Sequence, residues 1–274
     1  MQLEKYDLSQ EERNALHALM ARLPTSQSRV EHIWSTLDSV WNQLGCNSKD
    51  PHSANVSAFY RHPVWLLNSL FIEEDPESRG HRMAIAKWIG SRGSDIRRVL
   101  DYGGGHGLLA RMITNAHPET HVDVYEPYPS QYTRNSLQAH DRVHLLDRPG
   151  KIYDCVVSVD VLEHLADPIG ALIDMTRRLP KNGYLILANC FYPVIKCHLP
   201  QTFHLRYSLP AFARLVGLQL IGECAGSHAN IFQKIRRPIL SRQTLRAIER
   251  ISQALFPALE PVHNALKRWR GRPA

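Results

Sequence analysis

Residues 99–110 have the sequence Val-Leu-Asp-Tyr-Gly-Gly-Gly-His-Gly-Leu-Leu-Ala, and this stretch decides the fold class. A short hydrophobic run passes into the pattern D-x-G-x-G-x-G, formed by Asp101, Gly103, Gly105 and Gly107, and the residues after it have the composition of a helix. Alternating glycines permit positive φ angles and leave room for a ligand against the main chain. The amide groups and dipole of the following helix would point to the same place. The stretch therefore predicts a cofactor-binding turn between a strand and a helix.

The glycine pattern alone does not identify the cofactor. Gly105, Gly107 and Ala110 also match G-x-G-x-x-A, which is typical of NAD and FAD sites. Asp101, however, stands where a dinucleotide site usually has an apolar residue, and a carboxylate favours a ligand with an ammonium group over one with two phosphates. Glu126 follows the next predicted strand, 19 residues after Gly107. Because an acid at this offset accepts ribose hydroxyls in either class, both classes stay open at this point.

A second motif follows a predicted central strand. Residues 153–159, Tyr-Asp-Cys-Val-Val-Ser-Val, are rich in β-branched residues, and residues 160–168 read Asp-Val-Leu-Glu-His-Leu-Ala-Asp-Pro. Together with the glycine stretch, region 95–235 resembles the class I S-adenosylmethionine-dependent methyltransferases. The resemblance is to the small-molecule group that has an (F/Y)-D-x-(V/I) strand followed by an L-E-H segment. It is specific for the family but not for the substrate.

This resemblance implies S-adenosyl-L-methionine as the cofactor and a role for each motif residue. The alternating glycines would lie under the methionine part of the cofactor, with Asp101 near its amino group. Glu126 would bind the ribose, and Asp147, after the following strand, would lie near the adenine. Asp160 would begin the loop that lines the active site. The glycines concerned are Gly103, Gly105 and Gly107.

The pattern of predicted elements divides the chain into three parts. Residues 1–90 are predicted as an N-terminal helical cap that begins with a capping box at Ser9. Residues 91–236 alternate strands and helices and close with a β-hairpin, which a plain dinucleotide-binding half lacks. Residues 237–274 are predicted as C-terminal basic amphipathic helices. The expected fold is α/β: a Rossmann-like, seven-stranded, mostly parallel sheet with a C-terminal β-hairpin.

Length and composition are those of one substantial α/β core with appendages. The chain has 274 residues, of which 43% are hydrophobic. It contains no apolar run of about 18 residues and its first residues lack an apolar h-region, so neither a membrane span nor a secretory signal is expected. Five cysteines, an odd number without a C-x-x-C pair, favour reduced thiols in a cytoplasmic protein.

The positive charge of the chain is concentrated near its C-terminus. The net charge is +7, and residues 234–274 contain ten Lys or Arg against two Glu. Apolar and basic residues recur there at helical spacing, and Trp269 lies within a basic cluster. This combination favours peripheral contact with an anionic membrane or partner; the alternative is an ordinary helix docked on the core. Nucleic acid is not an expected partner, because no nucleic-acid-binding motif accompanies the cluster.

Histidines are the candidate catalytic residues. A sulfonium methyl group is already electrophilic, so a general base is needed only when the acceptor arrives protonated, as an alcohol or phenol does. The candidates are His164 in the L-E-H segment and His198 and His204 in the loop after the fifth predicted strand. A structural role at a helix start is the alternative for His164. Glu163 and His164 could also ligate a divalent cation, as proposed for some quinone-methylating relatives, but without further acids at ligand spacing no metal is expected.

The resemblance implies transfer of a methyl group to oxygen of a small-molecule or lipid-linked acceptor, as in ubiquinone-pathway and natural-product O-methyltransferases. One alternative is an NAD-dependent oxidoreductase. Another is a non-catalytic, cofactor-binding partner subunit. Helices before the first strand cover the active site in many relatives, which makes Tyr60, Arg61 and His62 candidate wall residues for the acceptor.

Overall fold

The computed structural model describes residues 1–21 and 29–269, with only the backbone described for Arg29 and residues 262–269. The end of the predicted basic tail, residues 270–274, lies outside the described residues. The α-helices of the described residues are α1 (Gln10–Met20), α2 (Arg29–Gln43), α3 (Ala54–Arg61), α4 (Val64–Glu74), α5 (Pro76–Gly90), α6 (Leu108–Ala116), α7 (Gln131–Gln138), α8 (Pro168–Arg177), α9 (Leu205–Leu215) and α10 (Arg242–Trp269). The strands are β1 (Arg98–Tyr102), β2 (His121–Tyr125), β3 (Val143–Leu146), β4 (Cys155–Val159), β5 (Tyr184–Ala188), β6 (Leu218–Glu223) and β7 (Asn230–Lys234).

The seven strands form one sheet in the order β3-β2-β1-β4-β5-β7-β6. The first five strands are parallel, whereas β7 is antiparallel to both β5 and β6. The central strand β4 is buried over Cys155–Ser158, as expected for a strand covered by helices on both faces. The predicted α/β, Rossmann-like sheet with a closing hairpin is confirmed.

The strand order reverses between β1 and β4, and this reversal positions the functional site. From β1 the chain proceeds outward to β2 and β3, and it then returns to β4 on the other side of β1. The connections therefore leave in opposite directions and open a crevice at the carboxyl ends of β1 and β4, where ligands of open α/β sheets bind. The glycine stretch follows β1 directly, and the Asp160–His164 motif follows β4. Two segments about 60 residues apart in the sequence are thus brought to one crevice.

The N-terminal helices form their own apolar cluster above the crevice, and this cluster extends into the sheet part of the molecule. Ser9 starts α1 with the predicted capping box, in which its hydroxyl accepts from Glu12 N–H and the Glu12 side chain accepts from Ser9 N–H. The cluster includes Tyr132 of α7 and Ile195 and Cys197 of the loop after β5, so it is continuous with the sheet part of the molecule. The cap is therefore packed onto the crevice and forms one of its walls.

A half-buried carboxylate, Glu73, ties the cap to the glycine stretch. His106 Nε2 donates to Glu73 Oε2 at 2.9 Å, and Arg111 Nη2 donates to the same oxygen at 3.0 Å. Burial raises the pKa of Glu73, but the hydrogen bond from His106 and the charge of Arg111 outweigh it and lower this pKa to about 2. Since Glu73 lies on α4 and Arg111 on α6, this ion pair fixes the cap relative to the turn after β1.

The C-terminal region is helical, as predicted, but it differs from the prediction in one respect. It forms one helix, α10, rather than several, and this helix continues through Pro257 and Pro261. Part of its basic face is also paired with the core, because Arg242 and Arg246 both form ion pairs with Asp167 at the start of α8. The helix is held there because Leu245, between these arginines, is fully buried in the cluster formed by α8, α9 and the sheet. None of the described helices has the length and apolar character of a transmembrane segment.

Candidate functional site

The turn after β1 needs glycine at the predicted positions. Gly103, Gly105 and Gly107 have φ angles of +74°, +56° and +77°, in the left-handed region that other residues adopt at a cost. A Cβ atom at Gly103 would lie 2.5 Å from Val161 Cγ2, and one at Gly107 would lie 2.5 Å from Leu137 Cδ2. The turn is therefore packed against neighbouring side chains on one side. It presents bare backbone to the crevice on the other.

Asp101 is buried at the end of β1, directly beneath this turn. Its side chain is almost inaccessible, with 2% of the residue exposed, and its Oδ2 atom has no hydrogen-bond partner among the described residues. Burial raises its pKa, the charge of Arg82 opposes this rise, and the nearby Glu126 carboxylate adds to it, with a resulting pKa of about 7. A cationic group beside Oδ2 would satisfy this oxygen and restore the ionised form. Asp101 is therefore suited to receive the ammonium group of a ligand.

Glu126 follows β2 and is held in a fixed orientation. Its Oε2 atom accepts from Gly105 N–H at 3.1 Å, and its Oε1 atom accepts from Tyr128 N–H at 3.1 Å. Burial raises its pKa, while these two bonds act in the opposite direction. Each carboxylate oxygen has a second lone pair available, so the group retains the capacity to accept two vicinal hydroxyls. This matches the ribose role that the resemblance implies.

Asp147 and Asp160 lie at the ends of their strands but in different surroundings. Asp147 follows β3 and is exposed. Asp160 follows β4 with a φ angle of +56°, and its carboxylate lies 3.6 Å from Arg82 and 3.9 Å from His228. Burial raises the pKa of Asp160, but the hydrogen bond to His228 and the charge of Arg82 lower it below its ordinary value. Asp160 is thus an ionised group at the rim of the crevice.

The cap contributes an aromatic wall that the sequence predicted only in part. Tyr60 of α3 stacks on Trp65 of α4 with ring centroids 5.3 Å apart, and its other neighbour Tyr128 stacks at 6.2 Å. Both Tyr60 and Trp65 make edge contacts with His164, at 6.3 and 5.7 Å. The Tyr60 hydroxyl and Trp65 Nε1 are buried without hydrogen-bond partners among the described residues. This wall therefore offers flat apolar surface with two unused polar atoms.

The other two predicted wall residues have separate positions. The Arg61 guanidinium lies 4.9 Å from the centre of the Tyr128 ring, so it supports the wall from outside. His62 accepts from Val64 N–H at the start of α4 and lines a different groove, next to α1. Of the three wall candidates, Tyr60 is the one in contact with the motif after β4. His62 is placed away from it because its ring is used as the cap of α4.

Two of the three candidate catalytic histidines are brought together. The rings of His164 and His198 lie 4.9 Å apart, although the residues are 34 positions apart in the sequence. Burial lowers the pKa of His164 to about 4, with the neighbouring His198 contributing in the same direction. Burial also lowers the pKa of His198. Both imidazoles are therefore neutral at pH 7 and have a basic nitrogen.

The third candidate, His204, lies away from the crevice and contacts α9 and α10. Its Nδ1 atom lies 2.9 Å from Ser208 Oγ of α9 and 2.8 Å from Ser252 Oγ of α10, and only 2% of the residue is exposed. It packs against Phe212, on the side of the loop that faces α10. The loop after β5 thus directs His198 toward the crevice and His204 away from it. Sequence position alone did not distinguish them.

Several residues of the site carried no recognisable sequence signal. Arg82 reaches the crevice from α5 and lies close to both Asp101 and Asp160. His228, in the turn between β6 and β7, also faces Asp160. These residues belong to no motif, and only the packing of α5 and of the closing hairpin against the end of β4 reveals them. The hairpin turn itself was predicted, but its role as a rim of the crevice was not.

The chain is similar to several known methyltransferases. The chain is 27% identical over 142 residues to a demethylmenaquinone methyltransferase of Tropheryma whipplei, a match covering 49% of this chain and 58% of that relative's length. An O-methyltransferase family protein from Burkholderia thailandensis superposes with a TM-score of 0.46 at 16% identity, covering 81% of this chain and 76% of that one. The S-adenosylmethionine-bound amino pentose methyltransferase CalS10 from Micromonospora echinaspora gives a TM-score of 0.37 at 20% identity, covering 47% and 57%.

The family assignment rests on the family model rather than on these superpositions, since neither TM-score reaches 0.5. The model of the methyltransferase domain family matches residues 66–215, which is more than half of the chain. The match includes the glycine stretch, Glu126 and the motif after β4, and it starts within α4 of the cap. This chain therefore belongs to the methyltransferase domain family.

Proposed function

We propose that the protein transfers a methyl group from S-adenosyl-L-methionine to an oxygen atom of a small-molecule acceptor. The observation that carries this proposal is the unpartnered, buried carboxylate of Asp101 beneath a bare glycine turn, with Glu126 beside it. These groups fit an amino acid part and a ribose part in one ligand. They do not fit the pyrophosphate of a dinucleotide, which would face the Asp101 carboxylate.

The chain's own residues would hold the cofactor in a defined orientation. Asp101 would pair with the ammonium group, the backbone of Gly103–Gly107 would lie against the methionine part, and Glu126 would accept the ribose hydroxyls. Arg82 is the cation of the crevice nearest to Asp101 and Asp160, so it suits the cofactor's carboxylate. When bound, S-adenosylmethionine supplies an electrophilic methyl group on sulfur. Asp147 remains the proposed neighbour of the adenine.

The acceptor would lie between the aromatic wall and the histidine pair. Tyr60 and Trp65 provide flat apolar surface next to His164, which suits an aromatic or quinol ring. An acceptor hydroxyl must lose its proton as the oxygen–methyl bond forms and the sulfur–methyl bond breaks. His164 and His198 are the groups positioned to promote that loss, because both are neutral. His164 contacts the aromatic wall directly, and His198 packs against His164. The aromatic wall would also limit the access of water to the reacting methyl group.

The cofactor assignment is tested by binding of S-adenosylhomocysteine, the product, followed by isothermal titration calorimetry. Glu126→Ala should weaken this binding by at least about tenfold, since it removes two charge-assisted hydrogen bonds. Glu119→Ala, at an exposed acid between α6 and β2, is the matched control and should bind normally. Stabilisation of the protein by NADH and not by S-adenosylhomocysteine would contradict the proposal. The oxygen acceptor is tested separately by release of S-adenosylhomocysteine with phenols, compared with amines of the same shape.

A lipid-linked acceptor is supported by the outer face of α10. Ile251, Leu255 and Leu259 recur every four residues there, and each is more than half exposed. Arg250 on the same helix and Arg236 and Arg237 just before it are exposed as well. An apolar stripe flanked by exposed cations is suited to an anionic lipid surface, which is where a lipid-linked acceptor would be found.

Vesicle flotation tests this membrane contact. The wild-type protein should float with phosphatidylcholine vesicles that contain phosphatidylglycerol and much less with phosphatidylcholine alone. A triple variant, Ile251→Ser with Leu255→Ser and Leu259→Ser, should lose this binding, while Ala254→Ser on the same helix should retain it. Equal flotation of the triple variant and the wild type would exclude the stripe as the contact surface.

A further inference from the structure

The corner opposite the glycine turn contains three groups that face one another. Glu163 and His164 belong to the short 3₁₀ turn after β4, and His198 belongs to the loop after β5. One ligand atom from each of these residues lies within 4.8 Å of the others. Three ligands of a single transition-metal ion at bonds of about 2.1 Å lie roughly 3 to 3.5 Å apart. Small rotations of these side chains would therefore bring them to such an arrangement.

Backbone carbonyl groups fix the tautomer of both histidines. His164 Nδ1 lies 3.1 Å from the carbonyl oxygen of Cys197, and His198 Nδ1 lies 2.7 Å from that of Tyr192. A carbonyl oxygen only accepts hydrogen bonds, so in both rings Nδ1 must carry the proton. Each neutral ring is then left with a lone pair on Nε2. Metal-binding histidines typically have this same bond from the second nitrogen to a carbonyl group.

Glu163 adds a buried acid with an unused oxygen. The residue is fully buried, with 0% exposed. Its Oε1 atom accepts from Cys190 N–H at 2.7 Å, whereas Oε2 has no hydrogen-bond partner among the described residues. Two lone pairs of neighbouring imidazoles and an unpaired carboxylate oxygen leave this corner rich in acceptors. A cation at its centre would satisfy all three groups.

The three groups are also held in place from both segments. The backbone carbonyl of Glu163 accepts from Leu199 N–H at 2.8 Å, in addition to the bond from Cys190 to its side chain. The loop that contains His198 is thus joined to the 3₁₀ turn on both sides of this histidine. His164 keeps part of its surface exposed, so one side of the cluster remains open. A site formed before ligand binding needs little reorganisation to bind an ion.

We propose that Glu163, His164 and His198 bind a divalent transition-metal ion. Two imidazoles with one carboxylate suit Mn²⁺, Fe²⁺, Co²⁺ or Zn²⁺, whereas Mg²⁺ and Ca²⁺ prefer oxygen ligands throughout. Three protein ligands leave coordination positions free on the open side, next to Tyr60 and Trp65. The sequence alone predicts no metal, although Glu163 and His164 are candidate ligands there. The third ligand, His198, lies 34 residues from His164 and outside any ligand motif.

The role of the ion in the reaction rests on the proposed function. An acceptor hydroxyl bound at a free coordination position would have a lowered pKa and lose its proton to solvent. The resulting oxygen anion would form its bond to the methyl carbon while the carbon–sulfur bond breaks, with that electron pair remaining on sulfur. His164 and His198 would then act as ligands and not as free bases. Methyl transfer itself does not depend on this role, since the same histidines could take the proton directly.

Co²⁺ titration of protein freed of metal by a chelator tests the site, with visible ligand-field absorption as the readout. Wild-type protein should show one saturable equivalent. His198→Ala should weaken Co²⁺ binding by at least about tenfold, as should Glu163→Gln, because each removes a ligand. His144→Ala is the matched control for adventitious binding, since His144 stacks on His121 as an exposed histidine pair on the surface. His204→Ala is the control for loss of a buried histidine.

The result expected is loss of the Co²⁺ spectrum in His198→Ala and Glu163→Gln and its retention in both controls. An unchanged Co²⁺ affinity in His198→Ala, or absence of the spectrum from the wild type, would overturn the proposal. Thermal unfolding and S-adenosylhomocysteine binding are measured on the same samples to show that each variant is folded. Protein that binds S-adenosylhomocysteine but not Co²⁺ would refute the metal site and leave the proposed methyl transfer intact.

Discussion

The two sides of the crevice are built in different ways. The side after β1 is one continuous segment, in which Asp101 and the glycine turn lie within seven residues of one another. The side after β4 is assembled from Glu163 and His164, the loop that contains His198, and two helices of the cap. Backbone conformation dominates the first side, and side chains from distant segments dominate the second. The difference teaches that the side proposed to bind the cofactor is encoded locally, whereas the side proposed to bind the acceptor is not.

The largest effect on stability and cofactor binding is expected from a substitution in the glycine turn after β1. Gly103→Ala places a Cβ atom 2.5 Å from Val161 Cγ2 at a φ angle of +74°. It should lower the free energy of unfolding by about 2–4 kcal/mol, from left-handed strain and overpacking together. It should also abolish S-adenosylhomocysteine binding. Chemical denaturation and calorimetry measure the two effects.

Gly80→Ala is the matched control for that substitution. Gly80 lies within α5, and a Cβ atom there meets nothing within 4 Å. Alanine should therefore stabilise the protein by up to about 1 kcal/mol through its better helix propensity. Equal destabilisation by both substitutions would show that the glycine turn has no special backbone requirement.

Asp101→Asn should separate cofactor binding from stability. Because burial raises the pKa of Asp101 to about 7, the folded protein retains a proton that the unfolded chain releases near pH 4. The carboxyl group then opposes folding increasingly as the pH rises from about 4 to 7, and it has no effect below that range. The variant should be more stable than the wild type by about 2–4 kcal/mol at pH 8 and equally stable at pH 4.

The same Asp101→Asn variant should bind S-adenosylhomocysteine about 10–100-fold more weakly, because a charge-assisted hydrogen bond is lost. Stability is followed by urea denaturation across this pH range, and binding by calorimetry. A variant that is destabilised at pH 8 would contradict the buried carboxylate with an unpartnered oxygen described above.

A substitution at Glu73 tests the ion pair that joins the cap to the glycine turn. Its pKa is lowered to about 2, so the ion pair stabilises the folded state above about pH 4.5 and this stabilisation is lost as the pH falls toward 2. Glu73→Gln should cost about 1–3 kcal/mol at pH 7. The difference from the wild type should shrink as the pH falls through this range. Glu77→Gln, at the exposed start of α5, is the control and should be neutral.

The smallest effect is expected at the aromatic wall. Tyr60→Phe removes a buried hydroxyl that has no partner among the described residues, so stability should stay within about 1 kcal/mol of the wild type or rise. S-adenosylhomocysteine affinity should not change, because Tyr60 lies on the acceptor side. The KM for a phenolic acceptor should change instead. If the substitution altered the cofactor affinity and left the acceptor KM unchanged, Tyr60 would belong to the cofactor side of the crevice, contrary to the proposal.

The sequence by itself determined the elements whose signals are local. The strand, turn and helix at residues 98–116 follow from a short hydrophobic run, alternating glycines and a segment with the composition of a helix. The hairpin at the end of the sheet follows from two short β-rich runs around a turn. Asp101 and Glu126 could be proposed as site residues because each stands next to such a signal, and the structure places both at the glycine turn. The charge of the C-terminal region was also evident from the sequence, but not that Arg242 and Arg246 are paired with Asp167.

Tertiary structure alone decided which distant side chains meet. His198 and His204 lie in one loop, and only the path of that loop between the 3₁₀ turn and α10 sends one toward His164 and the other toward Ser252. Arg82 likewise enters the site through the packing of α5, not through a motif. The physical reason is the difference between local and long-range interactions. Backbone conformation depends on residues that are neighbours in the sequence. The contacts after β4 depend instead on how the strand order and the helix packing bring separate segments together.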